Sequence, residues 1–237
     1  MKRSFWIFML LLLALSFTLI SCGNDDDNND DFDPTDMAGV NADNADWIVN
    51  ITPMEAGREN DFMIMVNFTG DNTTILPTDV LVLKIDGVAL SWLSSFPGYY
   101  HTQTDLTAGQ SYEFSLLFNG SVKATTTMTL PYVANPSFPA SFDPAAAASF
   151  SWTLSGNNQY QVAAAQSSKY VSATEHYADE YIKSISPSDR SFNVPANSIE
   201  TWGAGTTLTL ALYQINYKNV NRVAFMAYQM KQKVWNR

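Results

Sequence analysis

In SYEFSLLFNGSVKATTTMTLP, residues 111–131, apolar side chains recur at every second position: Tyr112, Phe114, Leu116 and Phe118, then Val122, Ala124, Met128 and Leu130. Successive side chains of a strand point to opposite faces, so a period of two builds one buried face, whereas a helix needs 3.6. Asn119-Gly120 supplies the positive φ angles of a two-residue type I′ turn. Pro131 has no N–H to give and ends the ladder. Such a stretch permits little but a β-hairpin.

The same signature recurs down the chain. WIVNIT stops at Pro53, and Phe62, Ile64, Val66 and Phe68 alternate in DFMIMVNFTG. VLVLKIDGVALSW is two runs joined at Asp86-Gly87, a second type I′ signal. SFSWTL, QYQVAAA, RSFNVP, TTLTLALYQI and RVAFMAYQMKQKVW follow, with NYKNVN as the turn before the last. Short strands separated by frequent turn signals predict an all-β sandwich architecture, and a hydrophobic fraction of 46% with 13% aromatics is enough to fill its cores. Two stretches read differently. PYVANPSFPASFDP holds four prolines and reads as a linker. SATEHYADEYIKSI opens with Ser172-x-x-Glu175, the spacing of a capping box, and sets Tyr177, Tyr181 and Ile185 four apart before Pro187. It reads equally as a short helix or an irregular crossover.

The N-terminus carries an address. Lys2 and Arg3 precede a nearly continuous apolar run from Phe5 to Leu15, short for a membrane span and suited to a secretory signal. That run ends in Leu19-Ile20-Ser21-Cys22-Gly23, which resembles a bacterial lipobox. The resemblance implies that residues 1–21 are a signal peptide, cut before Cys22, and that the Cys22 thiol carries diacylglycerol. Cys22 is the only cysteine, so no internal disulfide supports the fold. Several acyl chains on one residue hold a protein where one chain holds it only marginally. In the proteobacterial lipoprotein pattern an aspartate directly after the cysteine retains the protein at the inner membrane, so with Gly23 there the resemblance implies the outer membrane. Asp25, Asp26 and Asp27 open an acidic run that continues through Asp30, Asp31 and Asp33. It resembles the surface-export signal of Bacteroidota lipoproteins; a self-repelling disordered spacer is a second reading, and calcium binding a third that lacks the spaced ligands and Gly of an EF-hand loop. Residues 22–45 thus form an acidic tether with a reach of about 25 Å for some twenty flexible residues.

Two details resemble immunoglobulin-like domains of the fibronectin type III kind. Leu106-x-x-Gly109-x-x-Tyr112 matches the turn in which a tyrosine hydroxyl bonds back to upstream backbone. The extended FDPAAAASFSW leads to Trp152, as an early strand of that fold leads to a tryptophan packed between its sheets. The resemblance implies two tandem immunoglobulin-like β-sandwiches, at 46–133 and 145–237, with 134–144 between them. The second copy has no Leu-x-x-Gly-x-x-Tyr before TTLTLALY.

Chemistry is sparse. A net charge of -10 gives no basic patch for nucleic acid. There is no G-x-S-x-G, HExxH or Gly-rich phosphate loop; of the two histidines, His101 stands in GYYHTQT and His176 would pair with Glu180 only on a helix. The expectation is a non-catalytic protein with no catalytic residue, no cofactor and no metal. Candidate ligand-binding residues are aromatic. SWLSSFPGYYH sets Trp92, Phe96, Tyr99 and Tyr100 around Pro97-Gly98, and Trp202 stands in ETWGAG. Such rings stack on sugars or dock peptides; alternatively Trp92 and Phe96 enter the core and the tyrosines are ordinary edge residues. The partners expected are the membrane, through the lipid, and a protein or glycan ligand. The leading expectation is adhesion or scaffolding for a protein. The alternative is a glycan-binding accessory lipoprotein of a polysaccharide uptake system, and a hydrolase ranks third.

Overall fold

A computed structural model describes residues 45–53, 62–68, 80–92, 99–101, 106–172 and 175–237. All of its regular structure is β, and no helix occurs among the described residues. The first part contributes β1 (Trp47–Pro53), β2 (Phe62–Phe68), β3 (Leu81–Ile85), β4 (Val88–Ala89), β5 (Ser91–Trp92), β6 (Tyr99–His101), β7 (Ser111–Phe118) and β8 (Ser121–Thr129). The rest contributes β9 (Asn135–Ser137), β10 (Ala148–Thr153), β11 (Tyr160–Ser172), β12 (Glu175–Ile185), β13 (Ser191–Val194), β14 (Thr207–Val220) and β15 (Val223–Asn236).

One large sheet runs β12-β11-β14-β15-β1-β2-β6-β5; a four-stranded sheet runs β4-β3-β7-β8 and a three-stranded one β13-β10-β9. Strands from both predicted units, 46–133 and 145–237, therefore share one sheet. The seam between them is the parallel pairing of β1 with β15, in which Trp47 opposes Val223. The other described pairings are antiparallel.

Two cores lie on one face of the large sheet. In the first, Val49, Ile51, Phe62, Ile64 and Phe225 meet Leu83, Phe114, Leu116 and Met128 of the four-stranded sheet. In the second, Ala163, Leu208, Leu210 and Leu212 meet Phe150, Trp152, Phe192 and Val194 of the three-stranded sheet. The register keeps them on the same side: Asn216 opposes Ala227, and Leu212 opposes Lys231. Each large side chain buried this way contributes about 1.5–3 kcal/mol. A third cluster, with Val162, Ile215, Ala224 and Tyr228, occupies the opposite face.

The turns explain the hairpins. Asp86 and Gly87 take φ values of 48° and 80°, and Asn119 and Gly120 take 50° and 73°, as type I′ requires. The last hairpin turns later than its sequence suggests. β14 continues through NYKNV to Val220, and only Asn221 and Arg222 turn, at φ 51° and 64°. That left-handed Arg222 presents its carbonyl to the N–H groups of Asp46 and Trp47, at 2.7 and 3.3 Å, and so seats the start of β1.

Within SATEHYADEYIKSI, residues Glu175–Ile185 are neither helix nor irregular crossover. They form β12, antiparallel to β11 from Ile185 opposite Gln161 to His176 opposite Tyr170. A spacing of four fits a period of two as well as one of 3.6, so Tyr177, Tyr181 and Ile185 share a strand face as readily as a helix face. On a strand His176 and Glu180 stand about 13 Å apart, too far to share a ligand. The proline-rich residues 134–144, read as a linker, carry β9, where Pro136 opposes Trp152 on an edge that tolerates proline. Ala134 and Phe142 from this stretch are buried in the second core.

The two details on which the sequence resemblance rested both lie among the described residues. Tyr112 Oη accepts a hydrogen bond from the Thr107 N–H at 2.8 Å, and Trp152 is buried in the second core. Where the two cores meet, the shared face turns from apolar to amide. Gln161, Gln214 and Gln229 form a cross-strand row on β11, β14 and β15. Gln161 Oε1 accepts from Trp152 Nε1 at 3.0 Å and from Gln214 Nε2 at 2.9 Å. Asn158 Nδ2 donates to Gln214 Oε1 at 2.8 Å, and Asn158 also bonds both backbone groups of Tyr132. The Tyr132 ring itself is wedged between two glycines. A Cβ at Gly109 or at Gly156 would lie 2.4 Å from it.

Candidate functional site

β11 and β12 run out beyond the cores, and their far end concentrates exposed apolar surface. Of the large hydrophobic side chains that stand exposed among the described residues, Tyr170 at 58%, Val171 at 47% and Tyr177 at 40% all belong to this hairpin end. The register slips between Tyr170 and Ser172, where β12 resumes at Glu175. Such a bulge re-aims side chains at the end of a ladder.

The loop between β13 and β14 crosses this end and adds Trp202. Its half-buried ring stacks on Tyr177, with centroids 5.5 Å apart and planes at 26°. Hydrogen bonds pin the loop along its length. Lys169 Nζ donates to Trp202 O at 2.8 Å, the Trp202 N–H donates to Thr206 Oγ1 at 3.1 Å, and the Glu200 N–H donates to Asp179 Oδ2 at 2.6 Å. Gly203 and Gly205, at φ 73° and 83°, supply the left-handed turns that bring the chain back to β14. Tyr177 Oη donates to Glu175 Oε1 at 2.5 Å. By accepting that bond and by its charge, the Glu175 carboxylate pushes the Tyr177 phenol above its ordinary pKa. The ring pair is thus held in place, with the Lys169 ammonium bonded to the Trp202 backbone and the Glu175 carboxylate bonded to the Tyr177 hydroxyl.

Position matters as much as composition. Trp47, where β1 begins, is level with Val223 at the start of β15, while Ser168 is level with Thr207 and so with Asn236 at its end. The hairpin end and the start of β1 are therefore at opposite poles of the long strands, about 45 Å apart for fourteen residues.

The structure does not bring Trp202 to the other three predicted aromatic residues. Trp92 and Tyr100 pair across β5 and β6, with Tyr100 opposite Ile64 and Tyr99 opposite Met65. These strands end the sheet on the side away from β12. The side chains of Trp92, Tyr99 and Tyr100 lie outside the described residues, as do Cys22, Asp25, Asp26 and Asp27. Trp202 keeps a place in a candidate site, with partners that the sequence reading passed over: Lys169 on β11 and Tyr177 on β12. Tyr170, opposite His176, points to the other face of the hairpin. Assigning EHYADEYIKSI to a strand was the signal that would have found Tyr177. Among the described residues no three His, Cys, Asp or Glu side chains stand close enough to share a metal ion. Comparison of the chain with protein-family models and with curated proteins finds no match.

Proposed function

We propose that this chain is a lipid-anchored protein of the outer membrane, displayed at the cell surface, that acts without catalysis in adhesion or as a scaffold. In this reading the far end of β11–β12, where Tyr177 and Trp202 stack and Val171 stands exposed, receives a protein partner. The observation that carries it is the placement of this aromatic patch at the pole opposite the start of β1. A chain fastened at Cys22 would hold the patch away from the membrane, clear of the acidic tether. Aromatic rings that are fixed in place and partly exposed lose little entropy on binding, which is why they anchor interfaces.

A second reading, glycan binding, draws on the near-parallel Tyr177–Trp202 pair with Lys169 and Glu175 beside it. One experiment separates the two. A photo-crosslinking residue is placed at position 202 of the full chain in living cells. A discrete protein adduct that disappears with Tyr177→Ala supports a protein partner. An adduct that stains for carbohydrate supports the second reading. No adduct overturns the patch as a binding site.

The anchor is tested separately. Cys22→Ala should abolish labelling by a fatty-acid analogue and move the protein from the membrane to the soluble fraction. Undiminished membrane retention would sink the lipobox reading.

A further inference from the structure

β12 ends the large sheet, so among the described residues one of its edges has no neighbouring strand. All eleven of its residues are exposed or partly exposed. The Glu180 N–H donates to Asp179 Oδ1 at 2.8 Å. It therefore points away from its ladder partner Gln166, and in an antiparallel sheet the alternation makes the even-numbered residues of β12 the ones whose backbone groups face outward. An outward row of N–H and C=O groups is a template for another strand. The side chains decide which strand.

Tyr177, Asp179, Tyr181, Lys183 and Ile185 share one face. Laid antiparallel on itself about Tyr181, this face complements itself. Asp179 stands opposite the partner's Lys183 twice, Tyr181 opposite the partner's Tyr181, and Tyr177 opposite the partner's Ile185. The neighbouring registers fail. Pairing about Glu180 or about Asp179 sets like charges directly opposite, which destabilises a ladder. Pairing about Ile182 brings no opposite charges together.

We propose that β12 pairs antiparallel with β12 of a second copy of this chain, with the two-fold axis at Tyr181. The outward even-numbered residues then exchange backbone hydrogen bonds, Glu180 with the partner's Ile182 and Ala178 with the partner's Ser184. The Asp179 carboxylate guards the edge in the single chain by occupying the Glu180 N–H. On pairing, that N–H passes to the partner's backbone and the released oxygen turns to the partner's Lys183. Tyr177 is shared with the hairpin-end patch, but Trp202 and Val171 lie outside the paired segment, so the adduct experiment and the dimer experiments can fail separately.

Sedimentation of the full chain in mild detergent tests it. A dimer that forms with rising concentration is expected. Lys183→Glu, which sets two like-charged pairs across the axis, should weaken it about tenfold or more. Asp179→Lys combined with Lys183→Asp should restore it. Since Asp179 also holds two backbone N–H groups, a cysteine pair gives an independent reading. Under oxidant Tyr181→Cys should link two chains through a disulfide, and Ser184→Cys, which faces Ala178, should link no more than the parent chain. A chain that stays monomeric, a dimer indifferent to Lys183→Glu, or equal linking at both positions would overturn the proposal.

Discussion

Tyr132 holds two turns apart by touching both. Its ring fills the space that a side chain at Gly109 or Gly156 would need, so each glycine is required by contact. Gly109 also takes φ 78°, and any residue there would be strained as well as crowded. Gly156→Ala is the cleaner probe. Its Cβ would meet the ring at 2.4 Å, and the ring cannot retreat because Gly109 stands on its other side. Chemical denaturation should show a loss of about 1–3 kcal/mol, the usual cost of overpacking. In a Tyr132→Leu background the same substitution should cost much less. At this scale some of the molecule could be read beforehand. Tyr112 and Trp152 were legible because their signals are local: a glycine turn a few residues upstream, or an alternating run around the ring. Tyr132 was not, because the two glycines that frame it are 47 residues apart in sequence.

Elements show where such reading stops. Hairpins with Asp-Gly or Asn-Gly between alternating runs declared themselves, since turn and register both lie within about twenty residues. β12 did not, because its apolar spacing satisfies helix and strand alike and only the pairing with β11 breaks the tie. The partner of Trp202 was hidden for the same reason, as Tyr177 lies on the misread segment. The amide row is likewise a property of three strands at once. Its energetics can be tested on β11 and β15. Gln161→Leu leaves Trp152 Nε1 and a Gln214 N–H without their acceptor in a buried site. Each orphaned donor costs about 1–3 kcal/mol, so a total loss of about 2–5 kcal/mol is expected in a denaturant titration. Gln229 is buried in the same row, yet its Nε2 has no hydrogen-bond partner. Gln229→Met should therefore cost clearly less than Gln161→Leu, and equal losses would show that the row does not act through these bonds.

For the whole molecule, the least legible fact is that the first described strand pairs with the last. Trp47 and Val223 are far apart in sequence, and no local pattern announces a parallel contact across such a distance. The same sheet buries tyrosines on its other face, which gives the molecule an alkaline limit. Burial, with the Glu180 charge second, pushes the Tyr213 phenol up to about 12, and burial pushes Tyr228 higher still. An unfolded tyrosine ionises near pH 10. Stability from these two groups is complete below that pH and is lost as pH rises from about 10 through the folded values. Tyrosinate absorbance should therefore rise in step with loss of near-ultraviolet circular dichroism, and Tyr228→Phe should move the unfolding midpoint to higher pH.

β1 lies between two bonded neighbours, parallel to β15 and antiparallel to β2. Suppose the N-terminus is fixed to a surface and a load is hung from the opposite pole. The pull then runs along the strands, and β1 cannot be unzipped one bond at a time. It must slide past both neighbours together, so the rungs of two ladders resist in shear at once. Mechanical toughness of that kind follows from where the first strand was laid, and it needs no disulfide.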